Sequence, residues 1–315
     1  MASNKRKGVI LCLLSALAYS LGPILGKLLY GGGFPWQVVV SCRGMIPAFL
    51  ILLYALFRAK EVFKIQRRHL PLFLVYGVSI ALSSVSNYCA LYYIDAAVAI
   101  VLLYTLPIFT VLLSRVMLKE PLTPSKIVAT VMVFVGVMLI IQVFTISSLS
   151  SGVGKILGMS PVIFGFIIGT ASGLFGAIFT ILARKLNKYY SGWTVNSWGY
   201  FIAFPVYAVV GLPHIAAYSW TPASVGIIFI VALVGMTAYS LYIVCTHYIE
   251  AGEASLIVTL DPVCSITMSL VILGERLTLY QFIGCLLVLS AILVVERGEV
   301  LIKAIRKTTD KFAGG

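Results

Sequence analysis

The sequence predicts an all-α integral membrane protein of about ten transmembrane helices, arranged as two inverted five-helix repeats. Its 315 residues are 61% hydrophobic and only 10% charged, with a mean hydropathy of +1.06. Soluble domains carry about 25% charged residues, so this chain has too few charges to cover a surface that faces water. Long apolar runs recur along the chain, and the second half repeats features of the first.

The spans follow from apolar runs of about 20 residues, which is the length that a helix needs to cross the hydrocarbon core of a bilayer. Asp95 and Glu250 mark the breaks between the third and fourth spans and between the eighth and ninth, which are otherwise nearly continuous. A count of nine or eleven spans is therefore the alternative. We place the ten spans at residues 8–30, 35–56, 70–94, 96–117, 124–142, 162–183, 193–212, 223–249, 251–273 and 279–296.

The distribution of Lys and Arg predicts the orientation, because short cytoplasmic loops are enriched in both. With the amino terminus inside, 19 of the 23 Lys and Arg residues fall in inner segments, and only Lys155 and Arg276 fall in outer ones. We therefore expect a multi-pass protein of the plasma or inner membrane with both termini cytoplasmic. These segments explain the net charge of +13, so we expect no nucleic-acid partner.

An internal repeat is visible between residues 93–123 and residues 248–278. The two segments align without gaps and share 11 identities in 31 positions, among them Pro107 with Pro262. Because each copy holds five helices, an odd number, the second copy enters the membrane from the opposite side. Secondary transporters use such inverted repeats to open one midplane site alternately to the two sides.

The repeat also predicts the domain organisation. The first five-helix repeat covers residues 1–142, and the second covers residues 162–296. A linker at 143–161, rich in Ser and Gly, lies on the outer side between them, and a basic cytoplasmic tail covers residues 297–315.

The paired prolines and the Leu-x-Glu-x-Leu-Thr ends at 118–123 and 273–278 resemble the EamA family of the drug/metabolite transporter superfamily. The resemblance covers about residues 8–296. It implies ten helices, cytoplasmic termini and a central cavity lined mainly by helices 1, 3, 4, 6, 8 and 9. It also implies transport, often export, of amino acids or related small metabolites. A multidrug or nucleoside/sugar-type transporter of the same superfamily is the alternative.

Polar and aromatic residues at mid-span depth are candidate substrate-binding residues. Arg43 lies about eight residues into the second span, and Asp261 lies ten residues into the ninth. Ionisable groups at such depth are costly and mark substrate or ion pathways, although a structural ion pair or hydrogen bond is the alternative for each. The candidate set is Arg43, Asn87, Tyr88, Tyr104, Trp198, Tyr239, Tyr242 and Asp261.

Two pairs of residues shared by the repeats have predicted structural roles. Pro107 and Pro262 are candidate hinges, because proline removes a helical hydrogen bond at the same depth in both copies. Static kinks are the alternative. Glu120 and Glu275 are expected to cap the helix that follows each of them.

Signals of enzyme chemistry are missing from the sequence. It has no acid/base cluster, no HExxH metal motif and no P-loop, so no catalytic, metal or cofactor-binding residues are predicted, and an intramembrane enzyme is a minor alternative. The expected partners are a small-molecule substrate and the lipid bilayer. Proton or ion coupling and the oligomeric state are left open by the sequence.

Overall fold

The computed structural model describes residues 2–21, 25, 33–94, 96–140, 160–273 and 278–294. Within this part of the chain the secondary structure is entirely helical, with two short 3-10 turns at Lys60–Phe63 and Arg67–His69. The helices are α1 (Ala2–Ser20), α2 (Trp36–Arg58), α3 (Leu70–Tyr93), α4 (Ala96–Leu103), α5 (Leu106–Met117), α6 (Pro124–Ile140), α7 (Pro161–Leu186), α8 (Gly192–Ala217), α9 (Pro222–Cys245), α10 (Ala251–Val258), α11 (Asp261–Leu273) and α12 (Leu279–Val294).

The helices have the length and surface of membrane spans. Their outward faces are apolar: Phe57 is 78% exposed, Val116 is 76% exposed and Val209 is 80% exposed. Hydrocarbon accepts such a surface, and helices satisfy their backbone polar groups internally, as a bilayer requires. The chain is therefore an all-α membrane protein. In the described part, five helices are long and apolar enough to cross a membrane: Trp36–Arg58, Arg67–Tyr93, Pro161–Leu186, Gly192–Ala217 and Pro222–Cys245.

Local sequence signals set several helix starts. Ser191 caps α8 by accepting a hydrogen bond from the backbone N–H of Thr194 at 3.1 Å. Thr221 and Ser224 form a capping box at the start of α9, each side chain accepting from the other residue's backbone N–H. Pro222 follows as the first residue of α9, where its missing N–H would have no helical partner in any case.

The twelve described helices occupy the ten predicted spans, because two spans are each broken into two helices. The fourth span is interrupted between α4 and α5, and the ninth between α10 and α11. In both, the proline is the second residue of the helix that follows the break. The fourth and ninth spans therefore each hold two helices, and Pro107 and Pro262 lie in the first turn of the second one, a position that proline fits.

The packing of the helices follows the repeat. Helix α1 packs on α9 as its counterpart α7 packs on α3, and α3 packs on α8 as α9 packs on α2. Helix α5 likewise packs on α7 as α11 packs on α1, while α2 and α8 pack on each other. Each of these contacts between different helices of the two copies thus has a partner contact with the roles of the two copies exchanged, whereas the packing of α5 on α10 has no such partner among the described helices.

Two glycines show this exchange at atomic detail. A Cβ atom at Gly8 would lie 2.7 Å from Cβ of Tyr248 and 2.8 Å from Cγ2 of Ile249. A Cβ atom at Gly165 would lie 2.6 Å from Cγ2 of the isoleucine and 3.2 Å from Cβ of the tyrosine at 93–94. The first helix of each copy therefore approaches the same Tyr-Ile pair of the other copy through a glycine, which leaves no room for a side chain.

The helix ends define two faces of the bundle. The Lys5 face contains the start of α1 with Lys5, the end of α7 with Arg184, and the turn between α9 and α10. The Trp36 face contains the start of α2 with Trp36, the end of α3 with Tyr92, and Trp220 before α9. Most of the predicted linker and all of the predicted tail, together with Asp95 and Glu275, lie outside the described residues.

Candidate functional site

A central cavity of about 310 Å³ lies between the two copies. Ligand sites typically span about 300–1,000 Å³, so this cavity has the size for a small metabolite. Helices of both copies, with the breaks in the fourth and ninth spans, form its wall. Its described polar lining residues are Tyr19, Arg43, Ser83, Ser84, Asn87, Tyr88, Tyr104, Tyr200, Tyr207, Tyr239, Tyr242, Ser255, Thr259 and Asp261.

The structure brings together seven of the eight predicted site residues. Trp198 lies elsewhere: its Nε1 donates a hydrogen bond to the backbone oxygen of Val62 at 2.9 Å, and its ring lies 5.7 Å from that of Phe73. It thereby holds the 3-10 turn after α2 at the Lys5 face. The residues in the cavity are Arg43, Asn87, Tyr88, Tyr104, Tyr239, Tyr242 and Asp261.

Helix α8 instead contributes Tyr200 and Tyr207 to the cavity, and α1 contributes Tyr19. The candidate set omitted all three. The signal that could have found them is a phenol hydroxyl at mid-span depth, because a buried Tyr O–H usually finds a partner. Tyr207 meets this expectation, since its hydroxyl donates to Ser84 Oγ at 3.2 Å.

The basic side of the cavity is a contact between α2 and α3. Nη1 of Arg43 donates a hydrogen bond to the hydroxyl of Tyr88, and its Cζ lies 5.8 Å from the Tyr88 ring centroid. A Cβ atom at Gly235 would lie 3.2 Å from Nε and Nη2 of Arg43, so the bare backbone of α9 makes room for the guanidinium. The partner described for this charge is a neutral hydroxyl, which leaves the charge available to an anionic ligand.

The acidic side joins the two helix breaks. Asp261 is the first residue of α11, where the helix dipole favours a negative charge. Its Oδ1 accepts a hydrogen bond from the hydroxyl of Tyr104, which lies at the break between α4 and α5. The bond therefore links the broken span of one copy to the broken span of the other. Pro107 lies beside this junction and also lines the cavity.

Hydroxyl pairs hold other parts of the wall in place. Tyr76 and Tyr239 share a hydrogen bond of 3.0 Å, and Tyr242 shares one of 3.1 Å with Thr180. The first bond connects α3 of the first copy to α9 of the second, and the second bond connects α7 to α9 within the second copy. The tyrosines are thus ordered by the protein before a ligand arrives, which reduces the entropy that binding must overcome.

Ion pairs and hydrogen bonds at the Lys5 face hold the turn between α9 and α10 and the first turn of α10. Lys5 pairs with Glu253 at 2.9 Å, and Lys126 pairs with Glu250. Arg184 donates to the backbone oxygen of Thr246 at 2.7 Å. Three helices that do not adjoin this turn in sequence, α1, α6 and α7, therefore hold it.

Glu120 makes a further contact at the Lys5 face, and it caps a different helix from the one that the sequence predicted. Its Oε1 accepts a hydrogen bond from the backbone N–H of Ala251 at 3.2 Å. It therefore caps α10 of the other copy, whereas the sequence suggested the helix that follows Glu120. Tertiary packing brings the start of α10 closer to this carboxylate than the start of α6.

A second space opens at the Trp36 face. This vestibule has a volume of about 560 Å³ and is lined by the start of α2 and the end of α3. Tyr88 lines both the vestibule and the central cavity. The other described vestibule residues are Phe34, Pro35, Trp36, Gln37, Leu91, Tyr92 and Tyr93.

The lining of the cavity is not that of a metal site. Within the described ranges, no three His, Cys, Asp or Glu side chains lie together in a way that could hold a metal ion. The chemistry of the cavity is therefore that of hydrogen bonds, aromatic rings and two opposite charges.

Comparison with known proteins agrees with this architecture. A family model described as "EamA-like transporter family" matches residues 6–142 and again residues 163–297. The sequence is 25% identical to an uncharacterized transporter of Clostridium kluyveri, over 90% of this chain and 91% of that protein. It is 24% identical to the uncharacterized inner membrane transporter YicL of Salmonella typhimurium, over 93% of this chain and 96% of that protein.

A more distant relative has a named substrate. The pseudopaline exporter CntI of Pseudomonas aeruginosa is 27% identical over 65% of this chain and 76% of that protein. One solved crystal structure superposes with a TM-score of 0.74, covering 92% of this chain and 97% of that chain at 14% identity. This similarity shows that the two chains share a fold.

Proposed function

Because the chain belongs to the EamA-like transporter family, we propose that this membrane transporter is a secondary transporter of small zwitterionic metabolites, such as amino acids or related compounds. The observation that carries the proposal is the charge of the central cavity. Among its described lining residues, Arg43 and Asp261 are the two with a formal charge, and the charges are opposite. A substrate with one carboxylate and one ammonium group matches this pair.

The two charges are suited to different ends of such a substrate. A guanidinium binds a carboxylate in a bidentate, charge-assisted manner, which assigns the carboxylate end to Arg43. The carboxylate of Asp261 is then the acceptor for the ammonium end. Arg43 and Asp261 line the same cavity of about 310 Å³, so one small molecule in it can contact both.

Transport follows from the exchangeable contacts between the copies. Each copy has a broken span beside the cavity, and the packing of α1, α3 and α5 on the other copy has a counterpart with the roles reversed. We propose that the copies exchange shapes and so open the cavity alternately to the two faces, which is the mechanism of inverted-repeat transporters. The two segments that match the family model support a division into repeats at 1–142 and 162–296.

The proposed location is the plasma or inner membrane, with the Lys5 face and both termini in the cytoplasm. The distribution of Lys and Arg supports this orientation, and YicL is an inner membrane protein by its name. The linker at 143–161 and the basic tail at 297–315 then lie outside and inside, respectively.

A multidrug or nucleoside/sugar-type transporter is the alternative. Nucleosides and sugars carry neither a carboxylate nor an ammonium group, and cationic drugs carry no carboxylate, so these substrates would leave one or both of the cavity charges without a partner. A buried charge without a partner is costly, and this cost favours the zwitterion.

A proteoliposome screen tests the proposal. Purified protein is reconstituted, and uptake is measured for free amino acids, their amides, the matching amines, nucleosides and cationic drugs, with and without a pH gradient. We expect uptake of amino acids and roughly tenfold less uptake of the amides and amines, both of which keep the ammonium group but lack the carboxylate that would pair with Arg43. Arg43→Gln should abolish this preference, whereas Lys188→Gln, which removes an exposed charge at the Lys5 face, should keep it. Uptake of nucleosides or drugs without amino acids would overturn the proposal.

A further inference from the structure

We propose that Tyr88 is a gate between the central cavity and the vestibule, and that an anionic group of the substrate opens it by replacing the Tyr88 hydroxyl on Arg43. The inference rests on the proposed function and deepens it, because it makes an anionic group a requirement for passage as well as for binding. In this proposal the ring of Tyr88 determines which molecules can pass from the cavity to the vestibule.

The position of Tyr88 is the first support. Tyr88 is the residue shared by the described linings of the two spaces. Tyr92 lies four residues further along α3, on the same side of the helix, and lines the vestibule only. The cavity, the Tyr88 ring and the vestibule therefore follow one another along one side of α3, towards the Trp36 face.

The bond that holds the ring is the second support. Arg43 reaches from α2 to the hydroxyl of Tyr88 on α3, so the ring is fastened from a neighbouring helix. The hydroxyl is a single neutral acceptor, whereas a carboxylate can accept two parallel hydrogen bonds from a guanidinium and carries the opposite charge. A substrate carboxylate that enters the cavity thus competes well for Arg43, and the freed ring can turn aside.

An orphaned amide next to the ring is the third support. Nδ2 of Asn87 is buried, and the described residues offer it no hydrogen-bond acceptor. Such groups are costly in a native structure and point to an unseen partner. Asn87 also lines the cavity, so a carboxylate on Arg43 has a second donor at hand. The acceptor missing in the structure is thus of the same chemical kind as the group that opens the gate.

On the side of the cavity away from the vestibule, ion pairs bridge the helices at the Lys5 face. The turn between α9 and α10 is held at the Lys5 face by Lys5 with Glu253 and by Lys126 with Glu250. The path from the cavity therefore leads past Tyr88 to the vestibule. A molecule without an anionic group leaves the Arg43 bond intact, which keeps this path shut against small neutral solutes.

The gate can be tested without measuring transport. Ser84 lines the cavity but not the vestibule, and Ser84→Cys in a background without the six native cysteines provides a reporter. The reaction rate of this thiol with a charged methanethiosulfonate reagent measures opening. Tyr88→Phe keeps the ring and removes the bond to Arg43, so we expect labelling to accelerate roughly tenfold or more. Tyr92→Phe, the same change one turn away, should leave the rate unchanged.

The role of the anionic group has its own measurement. With Tyr88 in place, sodium acetate should accelerate labelling several-fold over sodium chloride at the same concentration, and in Tyr88→Phe the two salts should give equal rates. Equal labelling of Tyr88→Phe and Tyr92→Phe, with both variants folded by size-exclusion chromatography, would overturn the gate. No acetate effect in the presence of Tyr88 would overturn the displacement. Either result leaves amino-acid uptake in proteoliposomes intact, so failure of the gate is distinguishable from failure of the proposed function.

Discussion

At the scale of single residues, two tyrosines hold the two charges of the cavity. The hydroxyl of Tyr88 accepts a hydrogen bond from Arg43, whereas the hydroxyl of Tyr104 donates one to Asp261. A phenol can do either, so the same residue type serves a cation and an anion. Both charges are kept half-buried at the cavity wall, without being neutralised by each other.

Asp261 is expected to be the most consequential carboxylate for transport. Asp261→Asn keeps the size of the side chain and removes its charge and its ability to exchange a proton. We expect roughly ten- to a hundredfold slower transport in vesicles, since a hydrogen bond to a charged group is worth about 1.5–3 kcal/mol, together with a loss of pH dependence. Glu61→Gln, an exposed carboxylate on the 3-10 turn at the Lys5 face, is the matched control. An unchanged rate with unchanged pH dependence would reduce Asp261 to a structural hydrogen-bond acceptor for Tyr104.

At the scale of elements, the breaks in the fourth and ninth spans are the features that the two copies share most closely. Each break is followed by a helix with proline as its second residue, and the Tyr104–Asp261 bond connects one break to the other. Non-helical backbone is tolerated at membrane depth only where it is buried in protein or lines a cavity. Both breaks meet this condition, because Tyr104 and Thr259 line the central cavity.

Pro107 and Pro262 are expected to be the pivots of alternating access. Pro107→Ala and Pro262→Ala restore a backbone N–H at the same place in opposite copies, so each should favour a continuous helix in its own copy and bias the protein towards opposite faces. Ala99→Cys and Ala254→Cys, which are equivalent and fully buried positions on α4 and α10, report opening of the Trp36 face and the Lys5 face. The two proline variants should raise labelling at different reporters. A shift of both in the same direction, or of neither, would show that the prolines only shape the cavity.

At the scale of the whole molecule, the symmetry of packing is not accompanied by symmetry of charge. Glu253 and Lys126 form ion pairs at the Lys5 face, yet their counterparts in the repeat are Val98 and Gln281. The positions of Glu253 and Lys126 are therefore charged in one copy and uncharged in the other, whereas the position of Glu250 keeps a carboxylate as Asp95. Removing one partner of a buried ion pair costs free energy, because the other charge is left without compensation.

The orientation of the molecule is expected to place the Lys5 face in the cytoplasm. Lys188→Cys lies in the exposed turn between α7 and α8 at that face, and Ser219→Cys lies in the exposed turn between α8 and α9 at the Trp36 face. A membrane-impermeant maleimide added to intact cells should label Ser219→Cys only, and Lys188→Cys should react after permeabilisation. The reverse pattern would contradict the proposed topology and the positive-inside reasoning behind it.

Most of the fold and much of the site could be predicted from particular residues. The low charge content and the apolar runs predicted the membrane class, and Pro107 with Pro262 marked the repeat before its packing was known. Polar residues at mid-span depth indicated the cavity, because an ionisable group inside a membrane is expensive unless it has a use there. Asp261 and Arg43 were found in this way, and both line the cavity.

The sequence by itself determined the membrane class and the duplication, since hydropathy and internal similarity can be read along the chain. Only the tertiary structure decided that Tyr200 and Tyr207 face the cavity while Trp198 does not, and that Glu120 caps a helix of the other copy. The physical reason is that lipid-facing and protein-facing sides of a membrane helix are both apolar. The hydrophobic pattern that orients a helix in a soluble protein is therefore absent, and packing between the helices sets the direction of each side chain.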